Sequence, residues 1–299
     1  MVDTNTKDWH GVTGGKALGQ KALKFLFYFT NVTVGYVILA LVIPFYMLFG
    51  RKSYLSIYRY FRNHFSYSKG KAFKKTYQNH FVFGQCMLDR FAVFAGRKNY
   101  FRIKTTGNEE FYRLLDEEKG FIVASSHVGN FELCGYLMKQ EKKRIYALAF
   151  GGETKEIMEN RLKFFNLNNV STIPVFGDMS HIFAINEALS AGQIVSISCD
   201  RHLGSTKSVE CDFLSGKADF PIGAFSLATH FDVPVLSVFV MKESISNYHI
   251  YVKPICLDTS INLSKKEKVE LLTREFVKEL EVIVKKYPEQ WFNFYNFWK

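Results

Sequence analysis

A histidine and a glutamate lie five residues apart in the stretch SSHVGNFELCG, residues 125–135, and they are the first candidates for chemistry. The neutral imidazole of His127 can remove a proton near pH 7 if one ring nitrogen is held by an acceptor and the other stays free. The carboxylate of Glu132 can be that acceptor. The residues alone leave two interpretations open, a catalytic dyad or a structural hydrogen bond.

Other kinds of catalytic centre have weaker support in the sequence. The helical i, i+4 histidine pair of zinc proteases is missing, and so is the G-x-S-x-G motif of serine hydrolases. The five cysteines are scattered and never spaced as C-x-x-C, which argues against a disulfide framework and a zinc site. We therefore predict no metal site and no cofactor.

A strand followed by a tight turn must position His127. Residues 121–125 form an apolar run that predicts a buried strand, and Asn130 can cap a helix that begins at Phe131. Gly129 allows the main chain to turn tightly and a substrate to approach closely. Because open α/β sheets bind ligands beyond the carboxyl ends of their strands, His127 is expected where chemistry is usually done.

Short apolar runs alternate with helical patterns from about residue 100 onward. The predicted strands are 101–105, 121–125, 144–149, 170–175, 194–199, 208–213, 234–241 and 248–254. The predicted helices are 108–117, 131–140, 154–166, 180–191, 221–231 and 264–287. Ser264 and Glu267 form a capping box at the start of the last helix. This alternation predicts an α/β domain with a mixed, mostly parallel sheet flanked by helices.

The apolar stretch 25–50 contains no charged residue. As a helix it would be roughly 39 Å long, more than a hydrocarbon core of about 30 Å. We therefore predict an N-terminal membrane-anchoring helix, spanning or monotopic, that Pro44 kinks or ends early; a buried core helix is the alternative. More Lys and Arg residues follow the stretch than precede it, so we expect an inner-membrane protein with its catalytic domain on the cytoplasmic face.

These patterns divide the chain into four parts. They are a cytosolic or interfacial segment (1–24), the membrane anchor (25–50), basic aromatic interfacial helices (51–100) and the catalytic domain (101–299). The formal net charge of +11 favours anionic partners. No nucleic-acid motif is present, and the Lys and Arg clusters flank the apolar stretch, so we predict a membrane partner and no nucleic-acid partner.

Five blocks of sequence occur in a fixed order. They are WHGVTGGKALG, HVGNFE, GDMSHIFAINEALSAGQIVSISCDRHLG, VECDFLSGKADFPIGAFSLATHFDVPVL and YPEQWFNFYNFW. Together they resemble the lysophospholipid acyltransferase superfamily, and within it the branch of the late (lauroyl and myristoyl) lipid A acyltransferases. The resemblance covers nearly the whole chain.

The resemblance implies a membrane-bound acyltransferase. Such an enzyme moves a fatty acyl group from a carrier thioester, of acyl-carrier protein or coenzyme A, directly to a hydroxyl or amine of a lipid acceptor. His127 would be the general base and Glu132 would orient it. Asp200 matches the acid that ends the third block and would support the site or the acceptor. The candidate substrate-binding residues are Gly129, Asn130, Asp200 and Arg161. Asp200 can equally be a turn acid at a strand end, and for Arg161 an exposed helix charge is the favoured alternative.

One departure from that branch bears on the acceptor. Its members carry a His-Arg-Arg-like cluster after the Pro-Glu-Gln, where this chain has Phe-Tyr-Asn-Phe at 294–297. Those cations suit phosphate, so an aminolipid or another amphiphile is as plausible an acceptor as a lipid A precursor. The rival hypothesis is a catalytically inactive, basic, membrane-associated protein that binds anionic lipid or nucleic acid. Acyl chain length and the choice of carrier stay open.

Overall fold

A seven-stranded sheet forms the centre of the fold. The computed structural model describes residues 31–94, 96–134, 141–150, 169–175, 180–202, 207–257 and 263–298. The strands of the sheet are β1 (Arg102–Thr106), β2 (Phe121–Ser125), β3 (Ile145–Phe150), β4 (Val170–Val175), β5 (Ile194–Ser198), β8 (Val235–Lys242) and β9 (Asn247–Pro254). Two further strands, β6 (Ser208–Phe213) and β7 (Gly216–Pro221), form a separate antiparallel hairpin.

The strand order is β1-β9-β8-β2-β5-β3-β4. Neighbouring strands are parallel throughout, except for the antiparallel pair β8 and β9. The prediction of a mixed, mostly parallel sheet is confirmed. The sequence patterns do not predict β7, because its short run Gly216–Pro221 has few apolar residues and becomes a strand by pairing with β6.

The helices surround the sheet. They are α1 (Val32–Phe49), α2 (Arg51–Arg59), α3 (Lys69–Phe94), α4 (Asn108–Leu115), α5 (Ser180–Ser190), α6 (Gly223–Phe231) and α7 (Lys265–Lys286), with a π-helical turn at Tyr60–His64 and 3₁₀ turns at Lys98–Tyr100, Phe131–Leu133 and Pro288–Gln290. The capping box of Ser264 and Glu267 begins α7 as predicted. The predicted helix 131–140 begins as a 3₁₀ turn. Its residues 135–140, the predicted helix 154–166, the predicted segment 1–24 and residues 25–30 of the predicted anchor lie outside the described residues.

Both faces of the sheet are buried. Along β2, Phe121 and Val123 enter one hydrophobic core, and Ile122 and Ala124 enter the other. The first core contains side chains of α1, α3 and α4, and the second contains side chains of α5, α6 and α7. This two-sided burial explains why the central strands appear in the sequence as continuous apolar runs without alternation.

One side of helix α1 lies against α3. The Tyr77 hydroxyl of α3 donates to the Ala40 carbonyl at 3.1 Å, and a Cβ placed at Gly84 would lie 2.6 Å from a methyl group of Leu39. The helix continues through Pro44 to Phe49, so the predicted early end at Pro44 is wrong. Within the described part of the chain, α1 is the helix long and apolar enough to cross a membrane, and 28% of that stretch is buried.

Candidate active site

The register of two central strands brings His127 and Asp200 together. β2 and β5 are parallel neighbours, and Ser125 pairs with Ser198 at their carboxyl ends. His127 and Asp200 each follow that pair by two residues. The two chains leave the sheet side by side, so a histidine and an aspartate 73 residues apart in sequence enter the same crevice.

The side chain of Asp200 holds His127 at two points. One carboxylate oxygen, Oδ1, lies 2.8 Å from His127 Nδ1, and the other accepts the backbone N–H of His127 at 2.9 Å. Because an ionised carboxylate can only accept, Nδ1 carries the proton of the neutral imidazole. Nε2 is then the unprotonated nitrogen, which is the tautomer that a general base requires.

Asp200 is buried and ionised. Burial by itself raises the pKa of this carboxyl, but the charge and hydrogen bonds of His127, with the charge of Arg201, outweigh burial and lower the pKa below its ordinary value. The Arg201 guanidinium is fixed by donating to the Phe292 carbonyl at 2.7 Å. A carboxylate in this state can stabilise an imidazolium that forms on His127 during proton transfer.

The backbone of residues 126–132, here called the His127 loop, forms hydrogen bonds with β8 and with the 288–298 segment. The Asn130 N–H donates to the Val240 carbonyl at 2.7 Å, and the Gly129 N–H donates to the Gln290 carbonyl at 2.8 Å. Gly129 has φ = 61°, and a Cβ there would lie 2.1 Å from the Val240 oxygen. The close approach predicted at Gly129 is therefore made by the protein's own backbone.

The 288–298 segment is tied down on its other sides. The Phe292 N–H donates to the His127 carbonyl at 3.0 Å. The Gln290 side chain accepts from the Lys242 N–H at 2.9 Å and donates to the Lys242 carbonyl at 2.7 Å. Asn79 of α3 donates to two further carbonyls of this segment, at 3.0 and 2.9 Å. The backbone beneath the imidazole is thus held from β8 and from α3.

Asn130 is fully buried and its amide is engaged inside the protein. Its oxygen accepts from Arg90 Nε at 2.9 Å, and its nitrogen donates to the Cys86 carbonyl at 3.0 Å and to the Tyr248 hydroxyl at 3.1 Å. Its side chain makes no helix-capping hydrogen bond. The predicted role of Asn130 as a helix cap is therefore wrong, because its side chain is bound in the core. Its predicted role in substrate binding stays a prediction.

Glu132 forms an ion pair with Arg90. Its Oε1 atom lies 2.8 Å from Arg90 Nη1, and the two side chains are 18% and 11% exposed. The Arg90 guanidinium also lies 5.5 Å from the centre of the Phe131 ring. The acceptor on His127 Nδ1 is Asp200, the role that the sequence motif assigned to Glu132. The register of β2 and β5 places Asp200 beside His127 Nδ1, although Glu132 is the carboxylate nearer to His127 along the chain.

The remaining predicted residue, Arg161, lies outside the described residues. Sequence reasoning missed three residues that build the loop: Arg90, Tyr248 and Gln290. Gln290 belongs to the Pro-Glu-Gln block, so that motif could have pointed to it. Arg90 and Tyr248 are single residues of a helix and a strand, and no motif marks them.

Comparisons with known proteins identify a family and a distant likeness to solved structures. The family model described as bacterial lipid A biosynthesis acyltransferase matches residues 68–299. No curated protein matches the chain. Among solved structures, the 1-acyl-sn-glycerophosphate (LPA) acyltransferase PlsC from Thermotoga maritima is similar at 15% identity, over 90% of this chain and 97% of that one, with a TM-score of 0.39.

Replacing Asp200 with Asn should flatten the acid side of the stability curve. Because folding lowers the pKa of Asp200, its contribution to stability is complete above the unfolded pKa of about 3.9 and is lost as the pH falls through the folded value. The wild type should therefore lose stability more steeply than Asp200→Asn below about pH 5. Urea unfolding in detergent at a series of pH values measures both curves. Parallel curves would contradict the ionised, His127-bound state of Asp200.

Proposed function

This chain belongs to the bacterial lipid A biosynthesis acyltransferase family and is an acyltransferase, and on that premise we propose that it transfers a fatty acyl group from a carrier thioester directly to a hydroxyl or amine of a membrane lipid or similar amphiphile. The observation that supports this most directly is the contact of His127 Nδ1 with Asp200, because it leaves Nε2 free to take a proton. The crevice at the carboxyl ends of β2 and β5 is where the reacting groups would meet.

In the proposed reaction, His127 Nε2 removes the proton of the acceptor hydroxyl or amine as that atom attacks the thioester carbonyl. The new carbon–oxygen or carbon–nitrogen bond forms, and the carbon–sulfur bond breaks. The imidazolium returns its proton to the departing thiolate, so no acyl-enzyme is formed and His127 ends neutral. Asp200 stabilises the imidazolium and keeps the ring oriented. Glu132 supports the His127 loop through its ion pair with Arg90.

The rival hypothesis, a catalytically inactive binding protein, fits less well. A fold that had lost its chemistry would have no need to keep an ionised carboxylate buried, because burying a charge is costly unless it is paired. Here Asp200 is 3% exposed and is paired through both oxygens with His127. A catalytic role for His127 explains why the protein keeps a buried, ionised Asp200 beside it.

The outer face of α1 supports membrane attachment. Large apolar side chains stand exposed along its length, among them Leu41 (69%), Phe45 (61%) and Leu48 (74%). A soluble surface rarely carries such a continuous apolar band. We assign this face to contact with lipid. With the basic residues of 51–75 directly after it, the positive-inside rule puts the catalytic domain on the cytoplasmic face of the inner membrane.

The same basic segment offers a docking surface for the donor. Lys71 and Lys74 are exposed on α3, whereas Lys75 is bound to Glu289. Carrier proteins for acyl thioesters are acidic, so electrostatic steering would raise their association rate. We favour acyl-carrier protein over coenzyme A as the donor on this ground.

His127→Ala should lower acyl transfer by about 10²- to 10⁴-fold, because it removes the base. Asp200→Asn should cost on the order of 10⁴-fold, because the amide no longer fixes the required tautomer. Glu132→Gln should cost about tenfold, since it weakens the hold of Arg90 on the loop. Thiol release from a long-chain acyl thioester, in the presence of a bacterial lipid extract, measures all three. The matched control is Glu270→Gln on α7, which should match wild type; an active Asp200→Asn beside an inactive Glu132→Gln would return the orienting role to Glu132.

Two charges on the outer face of α1 should detach the protein from lipid. Leu41→Glu with Phe45→Glu places carboxylates where we expect hydrocarbon, which is costly for ionised groups. Flotation with phospholipid vesicles should then leave the variant in the soluble fraction and the wild type in the floating fraction. Leu271→Glu with Val282→Glu, both on the exposed face of α7, is the matched control. Equal flotation of all three proteins would show that α1 does not contact lipid.

Charge reversal on α3 should weaken use of acyl-carrier protein. Lys71→Glu with Lys74→Glu should raise the apparent KM for the acyl-carrier-protein thioester, and the increase should be larger at low salt, where charges are less screened. The apparent KM for an acyl-pantetheine thioester should not change. The assay is done in detergent, where attraction to anionic lipid is absent. Lys265→Glu with Lys266→Glu at the start of α7 makes the same change of charge and serves as control. A wild type that uses both donors equally, without salt dependence, would point to coenzyme A.

A further inference from the structure

One arginine of helix α3, Arg90, contacts the His127 loop. Arg90 donates to Asn130, pairs with Glu132 at 2.8 Å and lies over the Phe131 ring, so it contacts three consecutive residues of the loop. The planar guanidinium can serve two partners at once in a fixed geometry, which a lysine cannot do. These contacts fix the position of the part of the loop that lies away from Asp200.

The residue before Arg90 is the centre of a buried polar cluster. The Asp89 carboxylate is fully buried and accepts from Lys242 Nζ at 2.6 Å and from the hydroxyls of Tyr36 and Tyr248. Lys242 also donates to the Ile245 carbonyl at 3.0 Å. A buried ion pair is stable only when its remaining hydrogen bonds are satisfied, and here two tyrosines and a carbonyl satisfy them.

The cluster is continuous with the His127 loop. Tyr248 donates to Asp89 and accepts from the Asn130 amide at 3.1 Å. Burial raises the pKa of Tyr248 well above its ordinary value, so its hydroxyl keeps the proton that it donates. A chain of hydrogen bonds thus runs from Tyr36 on α1, through Asp89 and Tyr248, to Asn130.

We propose that Arg90, Tyr248 and Tyr36 are positioning residues for the acyl transfer, and that docking of α1 onto the catalytic domain is part of what builds the active site. The inference rests on the proposed function, since it takes His127 as the base. Helix α1 has a second role beside its apolar outer face: its inner face supplies one of the three donors that fix Asp89. Arg90 then holds the Asn130 amide at its oxygen, and Tyr248, itself bound to Asp89, holds it at its nitrogen.

The sharpest test removes single hydroxyl groups and leaves the rings in place. Tyr36→Phe and Tyr248→Phe should each lower kcat by about tenfold, the scale of one hydrogen bond to a charged group, with an unchanged KM for the acyl thioester. Tyr46→Phe, on the exposed face of the same helix, is the matched control and should match wild type. Assays use the full chain in detergent, so that loss of membrane attachment cannot mimic the effect.

Arg90 is tested by substitution and by rescue. Arg90→Ala should lower kcat by about 10²-fold, the scale of a small misplacement of a catalytic group. Guanidinium, at concentrations well below those that denature the protein, should restore part of the rate, which a merely structural role would not allow. Arg113→Ala, which removes an arginine that forms exposed ion pairs, should show neither loss nor rescue.

The outcomes separate this inference from the proposed function. If His127→Ala is inactive while Tyr36→Phe, Tyr248→Phe and Arg90→Ala are folded and keep the wild-type kcat, the positioning network is wrong and the base assignment stands. If His127→Ala keeps full activity, the proposed function itself fails. A lower kcat in all three network variants, with guanidinium rescue of Arg90→Ala and intact controls, supports the proposal.

Discussion

The structure depends on one constraint, which is that a carboxylate placed out of reach of water must be matched by charges and donors. Asp200 sits at the end of a strand buried on both faces, where burial alone would favour its neutral form. It stays ionised because His127 presents a ring N–H and a backbone N–H to it at once. That requirement fixes the rotamer, tautomer and backbone position of the histidine, so the geometry of the imidazole follows from the electrostatics of its partner.

The His127 loop shows how irregular backbone can be held accurately. It has almost no internal secondary structure, and a buried backbone group without a partner is costly. Its N–H and carbonyl groups are therefore paired with Val240, Gln290 and Phe292, which belong to a strand and to a segment more than a hundred residues further along the chain. Gly129 is required because any Cβ would collide with the Val240 carbonyl. The precision of the site comes from distant elements that converge on it.

Asp200 became a site candidate only through the family resemblance. Sequence patterns were sufficient for the mixed, mostly parallel sheet, for its flanking helices and for His127 at a strand end, because hydrophobic periodicity and strand ends are local features. They failed where partners are set by tertiary contact. Glu132 lies nearest to His127 along the chain, yet register gives the Nδ1 position to Asp200. Asn130 is of a residue type that often caps helices, yet its amide forms hydrogen bonds with Arg90 and Tyr248 in the core instead. The short strand β7 becomes regular only through its hairpin partner.

The distance along the chain between Tyr36 and Lys242 has a consequence for how the protein is made. These two residues hydrogen-bond to each other and share Asp89, but 206 positions separate them. At roughly 5–20 residues per second, synthesis of the intervening chain takes roughly 10–40 s. During that time α1, and for the last 153 of those residues Asp89, exist without the lysine that neutralises the carboxylate. If α1 contacts lipid as proposed, it reaches the bilayer before β8 has been synthesised. A helix made early therefore completes its hydrogen bonds only after the strand that ends in Lys242 has formed.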